Sequence, residues 1–252
     1  MRGALARALL ALTLSASPAI AAEITVLCPR GVQAPLTVLA ERFEASSGHR
    51  VRFAFGTAGG IARRASEGEA ADVVVTAARA LDDLLARGTA ATGTRVSLGR
   101  VGVGLAARAG AQRPDISTPE ALRRALLDAP SLGYADPARG GQGGTHFASV
   151  VERLGLTETL RGRTQLFPEG LQALEGVVAG KVALAAAPIS EILPISGLVL
   201  VGPLPSSLQA QLAYAAAVLS AARTPEVSRA FLAFLTTPAA RAELSRGGVE
   251  AE

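Results

Sequence analysis

Hydrophobic residues in the first third of the chain follow the spacing of a strand and the spacing of a helix in alternation. Residues 24–27 form a short β-branched run, residues 50–55 alternate between polar and apolar, and residues 71–75 contain three consecutive valines. Each of these segments predicts a strand, and each is followed by an amphipathic segment with helical spacing. In the first of these helices the apolar positions are Val32, Leu36, Leu39 and Phe43. The order βαβαβα predicts a parallel sheet with helices packed on its faces.

The pattern changes near residue 96. Residues 96–105 are extended in character and carry three glycines, which predicts a strand that crosses out of the first unit. A second α/β unit follows, with a glycine-rich loop at 140–144 before one of its helices. Residues 208–219 are nearly uncharged and predict a second crossing strand. The last helices begin with one that starts at Pro225 and has Thr224 as its cap.

These elements predict an α/β protein of two Rossmann-like lobes with parallel-based sheets, joined by two crossing hinge strands. Lobe I is expected to comprise residues 23–100 and 206–252, and lobe II residues 101–205. Such an architecture closes about its hinge when a ligand binds between the lobes and stabilises the closed state.

The N-terminus has the features of a secretory signal. Arg2 and Arg7 precede a short apolar stretch at residues 8–14, and small residues of the A-x-A type lie near Ala22. The apolar stretch is shorter than the roughly 20 residues that span a bilayer. We therefore predict that residues 1–22 are cleaved and that the mature protein is located in the periplasm. We also expect the mature protein to be a monomer.

Composition narrows the classes of function. A hydrophobic content of 49% with 18% charged residues excludes a disordered chain. The formal charge of +4 falls to +2 when the two signal arginines are removed (4 − 2), and only 4% of residues are aromatic, so no nucleic-acid partner is expected. Cys28 is the only cysteine, which excludes an intramolecular disulfide, and its position in a strand predicts a small buried hydrophobic residue.

Motifs of enzymes and metal sites are missing from the sequence. It contains no G-x-S-x-G elbow and no G-x-x-x-x-G-K-[ST] phosphate loop. Two histidines far apart and one cysteine give no zinc-site spacing. We therefore expect neither catalytic residues, nor a cofactor, nor a metal, and the chain is predicted not to be an enzyme.

Four turns share one layout, in which a strand end leads through glycine into a helix. They cover residues 28–31, 56–60, 140–144 and 167–170. Ligands of open α/β sheets bind beyond the carboxyl ends of the strands, where helix N-termini favour anions. The turns therefore predict a site for a small anion, whose candidate ligand-binding residues are Arg30, Gly31, Thr57, Ala58, Gly59, Arg139, Gly143, Gly144 and Gly170.

At these residues the sequence resembles a known family, the periplasmic molybdate-binding proteins of ABC importers, within the type II periplasmic binding proteins. The resemblance covers nearly all of the mature chain and depends on the order and spacing of several short segments. They are residues 24–26, Phe55 with its turn, 61–63, 67–68, 71–73, 136–137 and 238–240. The resemblance implies a molybdate- or tungstate-like oxyanion held between the lobes, and a partner permease with its ATPase in the inner membrane.

The chain departs from this family at the residues that would hold the oxyanion. Gly31 occupies the position of a serine, Thr57 keeps the one hydroxyl of a serine-rich run, and Pro188 occupies the position of a tyrosine. Arginine side chains at the turns, Arg30 and Arg139, offer a planar fork that suits a carboxylate. A small organic carboxylate is therefore the alternative ligand, bound either for transport or as the signal of a sensor for a receptor kinase. A periplasmic enzyme on the same scaffold is a third alternative.

Overall fold

A computed structural model describes residues 21–251, so most of the predicted signal segment lies outside the described residues. The strands are β1 (Glu23–Pro29), β2 (Arg50–Gly56), β3 (Val73–Ala77), β4 (Val96–Arg108), β5 (Leu132–Ala135), β6 (Thr164–Phe167), β7 (Leu184–Pro188), β8 (Leu198–Pro203) and β9 (Gln211–Val218). The helices are α1 (Gln33–Ser47), α2 (Ala58–Ser66), α3 (Ala78–Ala86), α4 (Pro119–Asp128), α5 (Gln142–Arg153), α6 (Thr157–Leu160), α7 (Gly170–Val178), α8 (Ile189–Ile192), α9 (Pro225–Leu235) and α10 (Pro238–Arg246).

The strands form two sheets that share β4. In the first sheet β1 lies between β2 and β3 and pairs in parallel with both, and β9 joins β3 to β4 in antiparallel pairing. In the second sheet β5 lies in parallel between β6 and β7, while β7 and β8 pair antiparallel with β4. The overall order is β2-β1-β3-β9-β4-β7-β5-β6. Strand β4 therefore passes from one sheet to the other, as was predicted for a crossing strand at residues 96–105.

The predicted fold class, a two-lobed α/β architecture with parallel-based sheets, is confirmed. Strand β3 is buried at four of its five positions and is rich in valine, because helices cover both faces of a parallel sheet. Two strands, β6 and β8, were not predicted, since each is short or only partly buried. The residue limits of the two lobes stay a prediction.

Cys28 is fully buried in β1, as predicted, and it has no disulfide partner. Burial raises the pKa of its thiol, so the thiol remains protonated. The side chain packs within the apolar core that also holds Val26, Val73 and Tyr214. Cys28 is therefore a structural residue and not a reactive one.

Asp72 connects three segments of the first sheet from a fully buried position. Its carboxylate accepts hydrogen bonds from the backbone N–H of Thr25, of Arg223 and of Thr224, at 2.8, 2.8 and 3.2 Å. The Thr224 hydroxyl also contacts Asp72, at 3.3 Å, and makes no capping bond to α9. Thr224 is the N-cap residue of α9 with Pro225 at the first helical position, as predicted, but its hydroxyl bonds to Asp72 and not to the backbone of the helix.

No helix within residues 21–251 is long and apolar enough to cross a membrane.

Candidate functional site

A small cavity lies where the carboxyl ends of strands from both sheets meet. It encloses about 30 Å³, and the strands that end at its wall are β1, β2, β5 and β7, while β9 contributes Tyr214. We call it the central cavity. Its walls are formed by Pro29, Arg30, Gly31, Gly56, Thr57, Ala58, Ala135, Gly141, Gln142, Gly143, Gly144, Glu169, Gly170, Ala186, Ala187, Pro188, Glu191 and Tyr214. The position beyond the strand ends is the one that open α/β sheets use for ligands.

Eight of the ten predicted site residues line the central cavity. They are Arg30, Gly31, Thr57, Ala58, Gly143, Gly144, Gly170 and Pro188. Gly59 and Arg139 lie outside it, at the contact between the two lobes. The backbone N–H of Gly59 donates to the carbonyl of Gly140 at 3.1 Å, and the carbonyl of Arg139 accepts a hydrogen bond from the Thr57 hydroxyl at 2.8 Å. These two bonds hold the lobes together beside the cavity.

The glycine-rich segment at 140–144 differs from the predicted loop, because helix α5 already begins at Gln142. Gly143 and Gly144 therefore lie in the first turn of a helix. A Cβ at position 143 would lie 2.7 Å from Cδ of Pro188, and one at position 144 would lie 2.0 Å from the carbonyl oxygen of Ala135. Both glycines allow the start of α5 to approach the neighbouring strand ends closely. The unpaired N–H groups of the first helical turn therefore also lie close to these strand ends.

An outer cavity of about 530 Å³ adjoins the central cavity and shares Thr57 and Glu169 with it. Its walls are formed by Thr57, Gly60, Arg63, Ala138, Arg139, Pro168, Glu169 and Gln172. Two arginines, Arg63 and Arg139, line this space. Among the described residues neither of them forms an ion pair. The lining of the outer cavity therefore includes two positive charges that no described carboxylate neutralises.

Arg30 places its guanidinium at the wall of the central cavity. It forms an ion pair with Glu169 across the two lobes, and its Nη1 donates to Gln33 at 3.0 Å. The guanidinium carbon lies 5.8 Å from the ring centroid of Phe55, within cation–π distance. The side chains of Arg30 and Glu169 are 27% and 23% exposed, so solvent reaches both partners. An incoming carboxylate can therefore compete with Glu169 for Arg30.

Tyr214 supplies a hydroxyl at the position where the sequence lacks one. A Cβ on Gly31 would lie 2.2 Å from the Tyr214 hydroxyl oxygen and 2.9 Å from its Cζ. The tyrosine ring thus takes the space of a side chain at position 31, which explains the glycine. Burial raises the pKa of Tyr214, and the nearby Glu191 carboxyl raises it further, so the phenol stays protonated.

Glu191 brings a second carboxyl group to the central cavity. Its Oε2 atom is buried and has no hydrogen-bond partner among the described residues. Desolvation raises the pKa of Glu191 to about 8; the charge of Glu169 adds to this shift and that of Arg30 opposes it. Gln142 presents a second buried oxygen without a partner, Oε1, at the same cavity. Buried polar atoms without a partner are rare in native proteins, so these two mark the central cavity as an unusual site.

Four polar residues of the site, Gln142, Glu169, Glu191 and Tyr214, are not among the predicted ligand-binding residues. A signal for Glu191 exists, because it is the only charged residue between Lys181 and Arg223. The signal for Tyr214 is weaker: it is one of two tyrosines and lies in a nearly uncharged strand. Within the described part of the chain no group of three or more His, Cys, Asp or Glu side chains could hold a metal ion.

Comparison with known proteins places this chain in a family. Residues 24–250 match the family described as bacterial extracellular solute-binding protein. A relative from Pseudomonas sp. named aconitate isomerase is 30% identical over 254 residues, which cover 96% of this chain and 95% of the relative.

Solved structures agree in fold. The periplasmic molybdate-binding protein of Azotobacter vinelandii is 18% identical with a TM-score of 0.78, over 91% of this chain and 99% of that one. The sulfate-binding protein of Mycobacterium tuberculosis H37Rv is 16% identical with a TM-score of 0.68, over 90% of this chain and 86% of that one. At these identities the likeness concerns the fold and not the ligand. The match over nearly the whole chain shows that the protein belongs to the bacterial extracellular solute-binding protein family.

Proposed function

We propose that the protein binds a small organic carboxylate with two or more carboxyl groups in its central cavity, and that it does so in the periplasm for an ABC permease and its ATPase. The observation that carries this proposal is the ion pair between Arg30 and Glu169 at the cavity wall. In this ion pair the Arg30 guanidinium already binds a carboxylate. A planar guanidinium matches a carboxylate by two parallel hydrogen bonds.

The distribution of charge favours a molecule with several carboxyl groups. One carboxylate would reach Arg30, and the remainder of the ligand would extend toward Arg63 and Arg139 in the outer cavity. The central cavity alone, at about 30 Å³, has room for only a small part of such a ligand. The name of the Pseudomonas relative refers to a tricarboxylate and agrees with this ligand class.

A tetrahedral oxyanion such as molybdate fits the same site less well. The Thr57 hydroxyl is engaged with the carbonyl of Arg139. Tyr214 and the amides of the turns would be left as donors, so the expectation of a molybdate ligand is the weaker of the two.

Isothermal titration calorimetry of the mature protein tests the proposal. The probes are acetate, succinate, citrate and trans-aconitate on one side and molybdate and sulfate on the other. We expect binding of the polycarboxylates, and we expect Arg30→Ala to weaken it by about 1.5–3 kcal/mol, as for hydrogen bonds to charged groups. Arg229→Ala, which alters an exposed arginine on α9 far from the cavity, is the matched control. Binding of molybdate alone would overturn the proposal.

An isomerase activity is a second candidate function. Two groups able to carry a proton, Glu191 and Tyr214, face the same cavity, and the Pseudomonas relative is named an isomerase. Proton NMR after prolonged incubation of the protein with trans-aconitate or cis-aconitate would reveal conversion of one into the other. Recovery of both compounds unchanged would leave the protein as a binding protein.

A further inference from the structure

The carboxyl group of Glu191 is the feature of the central cavity that ligand binding by arginine does not explain. It lies on the short helix α8 after β7, and its Oε2 contacts the first residue of α7, where a Cβ on Gly170 would be 2.5 Å away. No donor among the described residues hydrogen-bonds to this oxygen. An ionised carboxylate buried in this way would be strongly destabilised, whereas a neutral carboxylic acid carries an O–H that needs an acceptor.

The groups around Glu191 hold it in the neutral form. Glu169 faces it with a negative charge, and Arg30 is the one cation that acts on it, already paired with Glu169. Tyr214 is a neutral phenol, and α1 presents only uncharged side chains on that side, Gln33 and Thr37 among them. The carboxylic acid thus points into an anion site as a hydrogen-bond donor that lacks an acceptor.

We propose that Glu191 keeps a proton and donates it in a hydrogen bond to a carboxylate of the bound ligand, and that this bond selects the ligand. The inference depends on the carboxylate-binding function proposed above. The ligand carboxylate supplies the acceptor that the cavity lacks, and the shared proton removes the repulsion between two carboxyl groups. A carboxylate binds here only together with a proton.

Proton-linked binding has a measurable signature. Trans-aconitate is the probe, because all its carboxyl groups are ionised above pH 7. Since the pKa of Glu191 in the free protein is raised to about 8, binding at a pH above 8 must first restore the proton. We expect the affinity to fall by about 30-fold between pH 7 and pH 9.5. At pH 9, titrations in buffers of different ionisation enthalpy should record the uptake of close to one proton per ligand.

Two variants separate this mechanism from other causes of pH dependence. Glu191→Gln replaces the acid O–H by an amide N–H, so it should keep most of the affinity at pH 7 and lose the dependence on pH. Glu191→Leu removes the donor and should weaken binding about tenfold at pH 7. Glu152→Gln, which changes an exposed glutamate on α5, is the matched control and should reproduce the wild-type profile.

The outcomes distinguish this inference from the proposed function. A wild-type affinity that is constant from pH 7 to pH 9.5 overturns the role of Glu191 and leaves carboxylate binding intact. An equal fall in affinity in Glu191→Gln does the same, because the titrating group would then lie elsewhere. Failure of every carboxylate to bind at pH 7 overturns the proposed function, and the role of Glu191 with it. The wild-type profile and the proton uptake need no variant, so a misfolded mutant does not affect the test.

Discussion

Replacement of Gly31 by alanine tests whether Tyr214 occupies the space of a side chain at this position. The new Cβ would lie 2.2 Å from the Tyr214 oxygen and 2.9 Å from its Cζ. Carbon atoms that are not bonded pack at about 3.5 Å or more, so the ring would have to retreat by roughly 1 Å. Gly31 has no left-handed backbone conformation, so the cost is steric alone.

The magnitude follows from the packing of the tyrosine. Tyr214 is 2% exposed and belongs to the same apolar core as β1 and β3, which leaves the ring little room to move. Overpacking of a close-packed interior costs about 1–3 kcal/mol. We therefore expect Gly31→Ala to lower the free energy of unfolding by that amount and to weaken carboxylate binding, because the displaced hydroxyl leaves the cavity.

Guanidinium chloride unfolding of the ligand-free protein measures the effect. Gly162→Ala is the matched control, since a Cβ at position 162 would meet no atom within 4 Å and the residue has no left-handed φ. The double variant Gly31→Ala with Tyr214→Phe should recover part of the loss, because the nearest atom is then the ring carbon. Equal unfolding midpoints for the two alanine variants would refute the packing argument.

Three further predictions concern the charged residues. Glu169→Gln should tighten polycarboxylate binding by up to about 1 kcal/mol in calorimetry, because it removes the internal competitor for Arg30; weaker binding would mean that Glu169 itself holds the ligand. Hydrogen bonds to Asp72 lower its pKa although burial acts to raise it, so its stabilisation is present above the unfolded-state pKa and is lost as the pH falls through the folded-state pKa. Asp72→Asn should therefore cost about 1–3 kcal/mol in urea unfolding at pH 7 and less near pH 3. The pKa of Glu191 is raised to about 8, so the ligand-free wild type should lose stability as the pH rises from its unfolded-state pKa to about 8, whereas thermal melts of Glu191→Gln should lack this loss.

Much of the fold could be predicted from the sequence because its signals are local. Strand β3 begins with three valines, which predict a buried strand. Residues 118–120, Thr-Pro-Glu, predict the start of α4, and the hydroxyl of the N-cap Thr118 accepts a hydrogen bond from the backbone N–H of Ala121 at 3.1 Å. The glycine-rich segment at 140–144 was harder to interpret. Glycine there serves close packing against Pro188 and Ala135, and the sequence does not distinguish that need from the need for a turn.

The candidate site could be predicted only where it is built from turns. Arg30 and Thr57 directly follow strands, so the topology alone brings them to the cavity. Tyr214 lies inside a strand that was interpreted as a hinge, and it reaches Gly31 across 183 positions of the chain (214 − 31). Glu191 follows its strand by three residues, on a helix of four residues that has no periodicity to detect. Only the packed structure brings these side chains to the site.

Two glycines leave space at the site for side chains that come from distant elements of the chain. Gly31 leaves room for the Tyr214 hydroxyl, and Gly170 leaves room for the Glu191 carboxyl. The groups that line the cavity beside these glycines come from other elements of the chain. The Tyr214 hydroxyl comes from β9, and the Glu191 carboxyl comes from α8. Since a carboxylic acid donates a hydrogen bond to a carboxylate, these two groups support the proposed carboxylate ligand, whereas the fold alone does not specify a ligand.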